Sequence, residues 1–300
     1  MLTRRTDLAM EAKGLWEESA AAETRLNGVE ARDKEREGYP VTTVKILNSA
    51  GAEALGKPVG TYVTLLLEGY FRREEDAFGR AARVLGAELA ELLDLPQRAT
   101  ALVVGLGNRA ITPDAIGPFA ADHTMVTRHL VAQVPEHFGD FRPVSALQTG
   151  VLGTTGMESG ELVAAVVKKL RPDCVLVIDA LASRSLNRVC RTIQLADTGI
   201  VPGSGIGNAR LALNRETLGV PVIAIGVPTV VDAATLCCDV LAEAGRADFD
   251  PELLRGAQGV IVTPKEIDSQ VKDLAKVIGF GINLALQTGL TVADVEGFLS

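Results

Sequence analysis

Aromatic side chains make up only 4% of the 300 residues, with a single tryptophan, so the core has to be assembled from aliphatic side chains. That composition suits the strands of a parallel sheet, which are buried on both faces. Histidine is scarcer still. His123, His129 and His137 are the only three, and their spacings miss the i, i+4 pair of a helical zinc site. The four cysteines, at 174, 190, 237 and 238, form no C-x-x-C pair and read as reduced thiols. No apolar run approaches the ~20 residues of a membrane span, and the start of the chain has no signal-peptide hydrophobic region; the expectation is a soluble intracellular protein. Positive charge is in deficit, with 30 Lys and Arg against 38 Asp and Glu for a net charge of −8, which argues against a nucleic-acid or anionic-membrane surface. The sequence also lacks the G-x-S-x-G elbow of a serine hydrolase, and no Gly-Lys-Ser/Thr completes a phosphate loop.

What is present is an alternation of apolar runs with helical stretches from residue 99 onward. Strands are predicted near 100–104, 174–178, 190–195, 221–226 and 258–262, and right-handed crossovers between such strands give a mostly parallel or mixed sheet with helices on both faces. Upstream, Val41–Leu47 and Gly60–Leu67 read as a hairpin, and the spacing over Arg72–Leu95 predicts a helix stopped by Pro96. Residues 1 to about 38, dense in charge, read as an exposed helix and an N-terminal arm. The simplest division is one α/β domain with N-terminal hairpin and helical additions.

Chemistry is sought where strands end, because in such sheets ligands sit at the carboxyl edge. The run Leu102-Val103-Val104 leads into Gly105-Leu106-Gly107-Asn108-Arg109, then Thr112-Pro113-Asp114. Ala110 stands where a dinucleotide fingerprint needs its third glycine, so the loop is read as a fixed turn presenting Asp114. A second apolar strand, Cys174–Ile178, runs directly into Asp179. If the two strands are neighbours, the carboxylates share an edge, and one is expected to hold a proton while the other activates water. Asp197 and Asp232 also follow strands but read as caps or turn residues. The loops Thr149–Gly156, with Thr154 and Thr155, and Pro202–Asn208 offer backbone donors to an extended peptide or an anion, although each alone reads somewhat more readily as a flexible turn between elements.

These motifs resemble those of the germination protease family of spore-forming bacteria. The likeness is carried by Arg5-Thr-Asp-Leu-Ala9, Gly105–Arg109 with Thr112–Pro118, Gln148–Met157, Ile178–Arg184, Asp197–Asn208 and Val262–Asp268. It implies a hydrogenase-maturation peptidase-like, hydrolase-like fold and an aspartic-type endopeptidase that degrades small acid-soluble spore proteins in the spore core, without cofactor or metal, as a homotetramer. Asp114 and Asp179 match the family's proposed catalytic aspartates. The family's processing rule places a cut between Asp7 and Leu8, making residues 1–7 a propeptide and 8–300 the mature domain. An acidic residue before the cut calls for a basic partner, and Arg109, Arg184 and Arg188 are candidates, with Asn108 beside them. The alternative is a metal-assisted peptidase of the hydrogenase-maturation kind, with the two aspartates as oxygen ligands.

Overall fold

A computed structural model describes residues 6–19, 27–96, 98–203, 210–245, 254, 256–257 and 259–300. Its centre is a nine-stranded mixed sheet. The strands are β1 (Val29–Arg36), β2 (Tyr39–Ile46), β3 (Gly60–Leu66), β4 (Ala101–Gly105), β5 (Val144–Gln148), β6 (Cys174–Ser183), β7 (Thr192–Ala196), β8 (Val222–Asp232) and β9 (Ile261–Val262). They lie in the order β1-β2-β3-β7-β8-β6-β4-β5, with β9 added to β8. β5, β4, β6 and β8 run parallel, while β7, β3, β2 and β1 form an antiparallel wing.

Helices cover both faces. The longer ones are α1 (Ala9–Ser19), α2 (Ser49–Leu55), α3 (Ala77–Leu93), α4 (Ile116–Asp122), α5 (Ser159–Leu170), α6 (Ala233–Glu243), α7 (Ile267–Leu286) and α8 (Val292–Leu299). Alternate residues of each strand divide the core in two, as a period of two requires. Val103, Leu176, Ile178, Ile193, Leu195, Ile225 and Val227 meet α3, α4 and α7, whereas Val104, Val175 and Val177 meet Val163 and Val167 of α5. Further along that second face, Val44, Ile46, Tyr62 and Ala224 pack under α1 and α2.

Three readings of the sequence change. Residues 29–36 are the strand β1, not a helix; Glu37 (φ 48°) and Gly38 (φ 82°) make the two-residue turn into β2, and the twist of such turns favours a hairpin. The charges of β1 concealed it: Lys34 Nζ meets Glu88 Oε1 at 2.8 Å and Arg36 Nη2 meets Glu91 Oε1 at 2.6 Å, so α3 partners the strand by ion pairs rather than by apolar contact. The connection between β2 and β3 holds α2, capped by Asn48, and is no simple loop. Finally, β6 continues beyond Ile178 to Ser183, so Asp179 lies within the strand.

Candidate active site

β4 and β6 pair in parallel, Gly105 opposite Ile178, so the two strands that deliver Asp114 and Asp179 are indeed neighbours. Two glycines let the chain turn tightly enough to bring Asp114 back over that pair. Gly107 (φ 111°) sits so close to the Asp114 carbonyl that a Cβ would lie 2.0 Å from its oxygen. At the start of α4, a Cβ on Gly117 would lie 2.2 Å from the Leu106 carbonyl oxygen and 2.6 Å from that of Ile178. The lack of a side chain at both positions is what lets these backbones meet.

The turn is fixed from the opposite side by a bulge. Leu181 pairs with Pro228 and Ala182 with Val230, which leaves Thr229 as the extra residue of β8. Its wholly buried hydroxyl donates to the carbonyl of Pro113 at 2.7 Å, and Thr263 Oγ1 donates to Thr229 O at 2.8 Å. Sequence reading missed Thr229, since a threonine inside an apolar strand carries no signal of its own.

The two carboxyl groups have different surroundings. Asp114 Oδ2 accepts the Asn108 N–H at 2.8 Å; burial raises its pKa, opposed by that bond and by the charge of Arg210. Asp179 is 6% exposed, and burial first, then the charges of Asp114 and Asp7, push its pKa up to about 8 despite the Ala180 N–H. Burial raises both carboxyls, but the drier Asp179, facing the charges of Asp114 and Asp7, holds its proton the more tightly of the two. Both line a pocket of about 260 Å³, together with Ile111, Pro113, Val201 and Thr229.

Asp7 lines the same pocket. The segment around it is bonded to the carboxyl-terminal half of β6. Its N–H donates to Ala182 O at 2.9 Å, and its carboxylate accepts the Ala182 N–H at 2.9 Å. Lys57 Nζ donates to Thr6 O at 3.3 Å. Past Asp7 the chain sinks inward, with Leu8 and Ala9 at 0% exposure. Gln194 of β7 donates from Nε2 to the Asp7 carbonyl at 3.2 Å and accepts the Ala9 N–H at 2.8 Å through Oε1. Glu11 then anchors α1 by accepting the Arg184 N–H at 2.8 Å. A second pocket, of about 420 Å³, adjoins the first across Asp7, Leu181, Ile200 and Val201.

The remaining candidates lie elsewhere. Arg109 pairs with Asp122 at 2.7 Å over the Phe119 ring, outside the pocket. Arg184 clasps Asp239 with Nε at 2.8 Å from each carboxylate oxygen, and Arg188 pairs with Glu11 at 3.4 Å. Asn108 shapes the turn, its side-chain oxygen accepting the Ala110 N–H. Thr154 and Thr155 close a helical turn after β5 by bonding Val151 O. Asp197 accepts the Thr61 N–H and Asp232 caps α6, as turn and cap residues do. His129 and His137 are exposed and His123 half-buried; among the described residues no three His, Cys, Asp or Glu side chains gather as a metal site. Residues 204–209, which take in most of Pro202–Asn208, and residues 1–5 fall outside the described set. No helix among the described residues is long and apolar enough to cross a membrane.

A family model described as germination protease matches residues 8–246. A protein named germination protease from Clostridium perfringens is 44% identical over 327 aligned residues, covering 100% of both chains. Another so named, from Caldanaerobacter subterraneus subsp. tengcongensis, is 45% identical over 98% of each chain, and one from Bacillus cytotoxicus is 39% identical over 94% of this chain and 93% of its own. Among solved structures, a NiFe hydrogenase maturation protease from Thermococcus kodakarensis aligns with 65% of this chain and 98% of its own at a TM-score of 0.37 and 18% identity, too slight a likeness to argue from.

Proposed function

The chain belongs to the germination protease family and is thus a peptidase, and we propose that it is an aspartic-type endopeptidase that first cuts its own chain between Asp7 and Leu8. The observation that carries this reading is the position of Asp7, lining one pocket with Asp114 and Asp179 while its charge acts on the Asp179 proton.

In this mechanism the Asp114 carboxylate takes a proton from water, and the oxygen so activated bonds to the Asp7 carbonyl carbon as the carbonyl electron pair moves onto oxygen. Collapse of the tetrahedral species breaks the C–N bond. Its electron pair stays on the Leu8 nitrogen, which takes the proton of Asp179, and the products are a carboxyl at Asp7 and an amine at Leu8. Burial suits Asp179 to the acid role, because its proton is retained at a pH where Asp114 has lost its own.

The same groove would then take substrate in place of residues 6–7. For the acid before the cut, the Ala182 N–H and the nearby Lys57 ammonium are better placed than Arg109, which is occupied by Asp122. The substrates we propose are the small acid-soluble spore proteins, met in the spore core, with a homotetramer as the working form. Intact-mass spectrometry of protein incubated from neutral to mildly acidic pH, with and without chelator, tests the reading. Loss of residues 1–7 in wild type but not in Asp114→Asn or Asp179→Asn, unaffected by chelator, is expected. Processing in either variant sinks the dyad, and chelator-sensitive processing sinks the metal-free form of it.

A further inference from the structure

We infer that Gln194 is a third catalytic residue, the donor that stabilises the oxygen of the scissile carbonyl. The inference rests on the Asp7–Leu8 cut proposed above. Gln194 reaches both sides of that bond: Nε2 donates to the carbonyl of Asp7, and Oε1 accepts the amide N–H of Ala9, the second residue beyond the cut. The second contact fixes the first. An amide N–H must meet an oxygen, so the carboxamide turns its NH2 toward the Asp7 carbonyl.

Sheet register places Gln194 for this task. Asp179 of β6 and Gln194 of β7 are both opposite Gly226 of β8, so they lie in one row on one face of the sheet, about 9–10 Å apart by strand spacing. No side chain rises from β8 between them. The space above Gly226 is taken by Leu181, close enough that a Cβ on Gly226 would lie 2.3 Å from Leu181 Cδ1. Asp7 borders the pockets on both sides of Leu181, the dyad lining one and Gln194 the other. The scissile carbonyl, pointed at Gln194, is thereby pointed away from Asp179.

The division of labour follows. Negative charge that develops on the carbonyl oxygen is met by a buried, neutral donor held in place before the reaction starts, while the Asp179 proton is left for the departing nitrogen. Gln194 is 7% exposed, and a hydrogen bond in such a dry site strengthens as its acceptor becomes an anion. Its grip on the Ala9 N–H is the same in ground and transition states, and so contributes to binding rather than to turnover.

The experiment compares wild type, Gln194→Met, Gln194→Glu and Asp179→Asn on a peptide carrying an acidic residue followed by Leu-Ala, with self-processing of each full chain followed by mass. Gln194→Met removes donor and acceptor, and is expected to lower kcat by about 10²–10³-fold with a rise in KM as well. Gln194→Glu keeps the acceptor and the shape but loses the NH2; kcat is expected to fall likewise while KM stays near that of wild type. Thermal melts show which variants are folded, and either folded variant suffices. A folded variant that turns over within about threefold of wild type, or that changes KM alone, overturns the catalytic role while inactive Asp179→Asn leaves the cleavage reading standing. Wild type that retains residues 1–7 and leaves the peptide intact overturns both.

Discussion

Asp179 carries its proton at a cost to the fold. Its carboxyl has an ordinary pKa near 3.8 when the chain is unfolded and about 8 in the folded protein, so between those values the folded state binds more protons than the unfolded one. Stability from this group is greatest below the unfolded pKa and falls as pH climbs through the folded one. Asp179→Asn removes the titration. We expect the variant to melt higher than wild type near pH 8, by at least about 2–4 °C, a shift of the size that 1 kcal/mol produces, with the difference narrowing toward pH 4; differential scanning calorimetry across that range checks it. A variant that loses stability equally at every pH would mean that Asp179 is ionised in the folded protein. Arg109 illustrates the opposite case. Its ion pair with Asp122 is more than half exposed on the arginine side, a setting in which such pairs contribute little, and Arg109→Ala is expected to leave both the melting temperature and peptide turnover near wild type.

At the scale of elements, the site depends on three backbones meeting closely. Because Gly117 lies against the carbonyls of Leu106 and Ile178, Gly117→Ala must push α4 off the β4–β6 pair, and Asp114 moves with it. We expect a loss of about 1–3 kcal/mol or more, read as a lower midpoint in urea unfolding. Thr229→Val is the gentler probe, leaving the Pro113 carbonyl without its donor at a cost of about 1–3 kcal/mol and slowing self-processing; processing at the wild-type rate would show that the bulge does not position Asp114. These contacts also mark the limit of what the sequence disclosed. The apolar runs leading to Asp114 and Asp179 and a helix-breaking Pro96 were legible because apolar runs and turn residues announce themselves, although Asp179 lies within its strand and not at its end. Strand β1 was not, since its partners on α3 are charges, and β5 (Val144–Gln148) is a short edge strand with alternating exposure that merges into the loops around it. Gln194 and Thr229 were equally silent: a polar residue within an apolar strand acquires meaning only once register shows what stands opposite.

Over the whole molecule, the N-terminal segment is docked in its own groove, with Asp7 against β6, Ala9 against β7 and Glu11 against the Arg184 backbone. Under the proposed cleavage the reaction is intramolecular, and its half-life should not change when the protein is diluted about a hundredfold, because the segment's effective concentration is set by the chain itself. Mass spectrometry of diluted samples checks this, and a half-life that lengthens in proportion to dilution would show that one molecule cuts another.

The complete burial of Leu8 acquires a further meaning at this point. Hydrolysis would leave an amine there, and the proton that Asp114 took from water would turn it into an ammonium ion, introduced into dry surroundings beside the Asp179 carboxylate that has just surrendered its own proton. The new cation and the new carboxylate stabilise each other and resist reversal, since rejoining the chain would require both to be neutralised in the same small space. Scission would thus behave as a ratchet, held against reversal by charges that the interior can accept only in pairs.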